Sequence, residues 1–187
     1  MAPDIPVDRL RINDLVPNDA PALFNYHSDT EVARFQSWPH NSVDETRAFI
    51  VRNASAPFGK SDSWYQLAVR STTRGELLGD LGVHFLAEDS RQVEIGFTIA
   101  PAHQRQGFGK IAVIAIVDHL FTVLHKHRVI ASVDPRNTAS MALLRNLGMR
   151  QEAHFRESVL WNGDWTDDVV FALLRLEWQN RSTRGRP

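Results

Sequence analysis

His103 to Phe121 reads "HQRQGFGKIAVIAIVDHLF", a cluster of hydrogen-bond donors and two glycines placed directly ahead of an apolar run. The run from Ile111 to Val117 is far shorter than the roughly 20 residues that cross a bilayer, so it reads as a buried helix. A helix start exposes unpaired N–H groups and the positive end of the helix dipole, which together attract anions. Gly107 and Gly109 would let a phosphate approach the backbone without Cβ obstruction, and Arg105 and Lys110 would add charge. The stretch therefore predicts an anionic ligand held at the entrance to a core helix.

Working outward, the flanking segments alternate between strand and helix patterns. Upstream, "RLRINDL" has strand alternation, "VPNDAPALFNYHSD" gives a turn and a short helix with Asp19 as N-cap, and Ser42 with Glu45 forms the capping box of a second helix. "WYQLAVRS", "ELLGDLGVHFL" and "RQVEIGFTIA", separated by the turn sequences "TTRG" and "AEDS", predict an antiparallel meander. Downstream come a short buried strand "RVIASV" and a helix from Asn137 to a terminating Gly148. Asn162 and Gly163 then sit between two strand-like arms, a strong hairpin signal. These elements predict one α/β domain over residues 1–187, a single mixed and mostly antiparallel sheet flanked by helices, with a loose tail from about residue 180.

Composition narrows the function classes. The formal net charge is -1 and the only basic cluster is the short end "RSTRGRP", so no stripe exists that would neutralise a phosphate backbone, and nucleic acid is not the expected partner. The chain has no cysteine, which removes disulfides, thiolate zinc sites and cysteine nucleophiles and fits a cytoplasmic protein. No secretory signal precedes "DIPVDRL", and neither a membrane span nor a membrane partner is expected. His119, His125 and His127 follow no zinc spacing, so no metal is expected.

Two anion-binding readings fit the glycine loop. "GFGKIA" matches a dinucleotide fingerprint and Asp134 ends the following strand, but "PAHQRQ" separates strand from glycine where that fingerprint requires a tight turn. The second reading rests on Gln104-x-x-Gly107-x-Gly109, which resembles the acyl-CoA loop of the GNAT superfamily of N-acetyltransferases. "VEIGFTIAP" resembles the family's fourth strand, "SVDPRNTASMALLRNLGM" its fifth strand and following helix, and "WNGDWTDDVVFALLRLEW" the last hairpin of the ribosomal-protein N-terminal acetyltransferase (RimJ/RimL-type) branch.

The resemblance implies acetyl-CoA as acyl donor, an amine as acceptor, and a homodimer among the quaternary states. It implies that the fourth and fifth strands splay, so that Phe97, Thr98 and Ile99 line the pantetheine arm like an added strand. Gly96 would suit a local bulge there. The residues Gln104, Arg105, Gln106, Gly107, Phe108, Gly109 and Lys110 would hold the pyrophosphate, and Asn137 would contact the cofactor.

By the same resemblance Glu94 is the candidate base, and Ser140, in the first turn of a helix, the candidate donor to the leaving thiolate. The bland readings are a half-exposed strand glutamate and a helix cap at Asn137. Much of the superfamily has a tyrosine acid seven residues after that asparagine, where this chain has Leu144. Trp38 and His84 are candidate substrate-pocket residues, with Phe35 and Trp161 as further aromatic walls, while Asp164, Asp167 and Asp168 would draw a cationic acceptor or form a solvated rim. The expected activity is acetyl transfer to a primary amine, favouring a protein or peptide α-amine, by direct attack in a ternary complex. A non-catalytic acyl-CoA sensor is the alternative.

Overall fold

The computed structural model describes residues 2–36, 41–161 and 163–182. Eight strands form one sheet: β1 (Ile5–Val7), β2 (Leu10–Asp14), β3 (Ser63–Ser71), β4 (Leu77–Phe85), β5 (Gln92–Ile99), β6 (Arg128–Val133), β7 (Arg150–Trp161) and β8 (Asp164–Leu174), in spatial order β1-β2-β3-β4-β5-β6-β8-β7. Every neighbouring pair is antiparallel except β5 with β6. The parallel pair needs a crossover, and helix α4 supplies it.

The helices are α1 (Ala20–His27), α2 (Thr30–Ala33), α3 (Val43–Ser55), α4 (Phe108–Thr122), α5 (Thr138–Asn146) and α6 (Arg175–Ser182). Their ends follow local chemistry. Ser42 Oγ accepts from the Glu45 amide at 3.1 Å, but the Glu45 carboxylate reaches the Asn41 amide at 2.8 Å, so the capping box closes one residue earlier than expected. Asp19 stands at the N-cap of α1 without capping through its side chain, which accepts from the Val16 amide and pairs with Arg70. Gly148, at φ +75°, ends α5 in the left-handed conformation that glycine adopts without Cβ strain.

The sequence patterns missed β1, α2 and α6. Helical order in α6 continues through Ser182, past the point near residue 180 where a loose tail was expected. The expected bulge at Gly96 is not formed: β4 and β5 stay in register through the Gly82 and Gly96 pair, and the nearby irregularity falls between Val69 and Arg70. Gly163 turns between β7 and β8 at φ +92°, whereas Asn162 lies outside the described residues.

Strand alternation gives the sheet two unlike faces. Leu81, Val83 and Phe85 of β4 and Val93 of β5 join Val113, Ile116, Val117 and Leu120 of α4 in the main apolar cluster. A second cluster, Leu15, Ala20, Leu23, Tyr26, Ile50, Ala68, Leu77 and Ala100, lies where α1 and α3 meet the sheet. Beside it lies a group of buried polar residues, and there the sheet opens into a cavity. No helix among the described residues is long and apolar enough to cross a membrane.

Candidate active site

The opening follows from strand register. β5 pairs with β6 only at Gln92 with Arg128, Val93 with Val129 and Glu94 with Ile130, although β5 continues to Ile99 and β6 to Val133. Beyond Glu94 the two strands part. A cavity of about 420 Å³ occupies the gap, with Glu94, Gly96, Phe97 and Thr98 on one wall and Ser132, Asp134, Asn137 and Ser140 on the other.

Side chains stand in for the missing strand partner along β5. The Gln36 carboxamide donates to the Phe97 carbonyl at 2.9 Å and accepts from the Thr98 hydroxyl, while Gln104 Nε2 donates to the Ile99 carbonyl at 3.0 Å. Phe97 and Thr98 line the cavity, whereas Ile99 packs against Gly109, where an added Cβ would lie 3.4 Å from the isoleucine.

Gln104 to Lys110 form the loop that enters α4. Gly107 is the N-cap at φ +83° and Arg105 is also left-handed at φ +60°. The first intrahelical bond runs from the Ile111 amide to the Gly107 carbonyl at 3.1 Å, so the amides of Phe108, Gly109 and Lys110 precede it. Arg9, far away in sequence, closes this loop: its guanidinium donates to the Gln106 carbonyl and lies 4.5 Å over the Phe108 ring. No local pattern marks Arg9, because the contact exists only when β2 and α4 are packed.

On the opposite wall, Asn137 Oδ1 accepts from the Ser140 amide at 3.1 Å. The cap is therefore formed, and both residues also line the cavity. Leu144, one helical turn further, is fully buried in the core, so that position holds no acid. Asp134, the acidic residue of the dinucleotide pattern, is engaged by the amide and guanidinium of Arg136; burial raises its pKa, and these contacts reverse the shift to leave it below the usual value.

Glu94 stands at the point of divergence. Burial pushes its carboxyl pKa up, the neighbouring His84 pulls it down in part, and the negative charge of Asp168 adds to the rise. His84 Nδ1 lies 3.6 Å from the Glu94 carboxylate. The His84 ring stacks on Trp64 with centroids 5.0 Å apart and planes 14° from parallel. Trp64 fits because Gly82 leaves room: a Cβ on Gly82 would stand 3.0 Å from the indole ring. His84 therefore sits behind Glu94, whereas Trp64 lines the cavity itself.

The cavity floor is a hydrogen-bonded group that sequence reading missed. Asp80, fully buried, accepts from the Tyr26 hydroxyl at 2.6 Å and from Gln66 Nε2, and lies 3.0 Å from His27 Nε2. Asn53 of α3 bonds both the amide and the carbonyl of Gln66 at 2.8 Å. Burial first, then the charge of Asp80, drives the Tyr26 pKa well above its ordinary value, so Tyr26 remains a donor.

A smaller cavity of about 170 Å³ shares Phe35, Ser132 and Asp134 with the first and adds Trp161, Asp167 and Asp168. Asp168 accepts from the Ser132 hydroxyl at 2.5 Å, and Asp167 is held by His154. Asp164 does not line either cavity. Trp38 lies outside the described residues.

A parallel pair of strands that splays beside a glycine-capped helix is the architecture of acyl-CoA N-acyltransferases, and comparison with known families agrees. The chain belongs to the GNAT family: the Acetyltransferase (GNAT) domain model matches residues 9–150. It is an N-acetyltransferase, and the family uses acetyl-CoA as co-substrate. The chain is similar to the uncharacterised N-acetyltransferase YoaA of Bacillus subtilis (strain 168), with 31% identity covering 94% of this chain and 98% of the relative. It is 25% identical to the ribosomal protein uS5-alanine N-acetyltransferase of Escherichia coli (strain K12), over 91% of this chain and 90% of that protein. Among solved structures, a GNAT-family acetyltransferase from Bacillus anthracis superposes with a TM-score of 0.83 at 26% identity, covering 94% of this chain and 100% of the other.

Proposed function

We propose that this chain acetylates a primary amine, with the α-amine of a protein or peptide as favoured acceptor, by direct attack on acetyl-CoA in a ternary complex. The observation that carries the proposal is the placement of Glu94 and Ser140 on opposite walls of one cavity, at the divergence of β5 and β6. The likeness to the uS5-alanine enzyme supports the peptide acceptor.

In this reading the amides of Phe108, Gly109 and Lys110 bind the pyrophosphate with Arg105 and Lys110, and Arg9 fixes the loop that presents them. The splayed edge of β5 receives the pantetheine arm, whose amides take over the carbonyl positions now bonded by Gln36 and Gln104. An alkylamine of pKa about 10 is about a thousandth neutral at pH 7, so reaching the nucleophilic form costs about 4 kcal/mol. Glu94 takes that proton, and its raised pKa brings it closer to the working pH than an exposed carboxylate would be. The Ser140 hydroxyl, at the positive end of α5, donates to the departing sulfur.

The test is thiol release from acetyl-CoA in the presence of peptides, polyamines and other amines. The chain has no cysteine and gives no background with a thiol reagent. Release that depends on a peptide acceptor supports the proposal. Release with polyamines alone would transfer it to a small-molecule acceptor, and stabilisation by acetyl-CoA without any release would favour the sensor alternative.

A further inference from the structure

We propose that His84 is the outlet for the proton that Glu94 removes from the acceptor amine, passing it from the cavity to Asp62 at the surface; this rests on the reading of Glu94 as the base. Its two ring nitrogens face two carboxylates on opposite sides: Nδ1 lies 3.6 Å from Glu94, in the cavity wall, and Nε2 lies 3.8 Å from Asp62. The solvent-exposed end of this line is Asp62. The side chains of Glu94 and His84 are 23% and 20% exposed, while that of Asp62 is 76% exposed.

Three further observations mark the arrangement as built. His84 Nδ1 is buried and makes no hydrogen bond within 3.5 Å, and the Glu94 carboxylate at 3.6 Å is the group it faces. The ring is held flat by the Trp64 stack, for which the glycine at position 82 leaves room. Asp62 is held in a left-handed conformation at φ +53°, with its amide donating to the Phe85 carbonyl at 2.7 Å, so the turn that carries it is anchored to β4. The charged groups facing the pair are Asp62, in the turn before β3 and beside His84, and Asp168 on β8, whose charge acts on Glu94.

The bookkeeping of protons requires such an exit. Starting from an ammonium acceptor, a nitrogen to carbon bond forms, a carbon to sulfur bond breaks, the sulfur leaves as a thiol, and one proton is released to solvent per turnover. Glu94 receives the first proton from the ammonium and must lose it before the next cycle. His84 takes it at Nδ1 and gives one up at Nε2 to Asp62 or water, then regains its starting tautomer by exchange through water. Because His84 does not touch the acceptor, it acts as a positioning residue for Glu94.

The experiment compares wild type, Glu94→Gln, His84→Ala, His84→Gln and Asp62→Asn in the thiol-release assay at low and high buffer, with and without added imidazole, alongside melting temperatures. The expected result is an approximately tenfold loss of kcat in both His84 variants with KM for acetyl-CoA kept. That loss should be recovered by imidazole or concentrated buffer, while wild type is insensitive to buffer. Asp62→Asn should show a smaller, buffer-dependent loss. Should His84→Ala melt early, His84→Gln carries the comparison. Full turnover of the His84 variants beside an impaired Glu94→Gln would overturn the outlet and leave the base in place, as would a loss that no buffer restores. Full activity of Glu94→Gln would remove the base and the outlet together, and a wild type without thiol release from any amine would overturn the transferase reading beneath both.

Discussion

The two faces of β4 and β5 are made by alternate residues of the same strands, yet they bury opposite chemistry. Leu81, Val83, Phe85 and Val93 are fully buried against α4, where close packing of branched and aromatic side chains supplies stability. On the other face, Asp80, Gly82, His84, Glu94, Gly96 and Thr98 give up apolar burial for a polar floor, a glycine trough and a cavity. Period-two alternation lets one strand serve both purposes. The difference teaches that the polar face is held by hydrogen bonds, with Tyr26 and His27 of α1 and Gln66 of β3 converging on Asp80 and Asn53 of α3 holding the Gln66 backbone, while the apolar face is held by packing.

Substitutions on the two faces should therefore separate activity from stability. The largest effect is expected for Glu94→Gln: a fall in kcat of about 10²- to 10⁴-fold, the range for losing a general base. Its melting temperature at neutral pH should equal or exceed that of wild type, because a carboxyl whose folded pKa is raised contributes stability at low pH that is lost as pH rises through the folded value. On the other face, Phe85→Ala should cost about 3–5 kcal/mol in a denaturant titration while the folded fraction keeps its turnover. A Phe85 variant that lost turnover per folded molecule would break the separation.

Gly82→Ala tests the boundary between the faces. Its Cβ would meet Trp64 and Gln66 at 3.0 Å, so a loss of about 1–3 kcal/mol is expected together with reduced turnover as the indole shifts from His84. Ser140→Ala should lower kcat by about tenfold with little change in melting temperature, since the capping bond uses its amide and not its hydroxyl. The smallest effect sharpens the electrostatics: Asp168→Asn removes a charge that raises the Glu94 pKa, so the acidic limb of kcat/KM should move to lower pH, read from a pH profile with one acceptor.

Much of the fold was legible because its signals are local. The alternation of β3, β4 and β5, the Ser42 cap, the apolar run of α4 and Gly148 each act within a few residues. The glycine loop that enters α4 was legible for the same reason, since glycine spacing and a following helix stand together in "HQRQGFGKIA". What escaped depends on distant packing. Arg9 meets Gln106 only in the folded sheet, Gln36 substitutes for a strand partner that the divergence removes, and Asp80 becomes a floor only when α1 and β3 bring partners to it. The α6 helix was hidden because "LLRLEW" continues the apolar pattern of β8, and its Trp178 is fixed by a bond to Asp118 of α4 at 3.0 Å. Gly96 misled in the opposite direction: it lies beside Trp64 in a strand pair that keeps its register, and forms no bulge.

The central claim is that the divergence of β5 and β6 and the entrance to α4 form one acetyl-CoA site. Hydrogen exchange measured with and without acetyl-CoA tests it most directly. The expected result is new protection at the amides of residues 95–99 and 104–110, with β1 and β2 unchanged. Protection confined to other segments, or stabilisation by acetyl-CoA with no change at either of these, would contradict the claim.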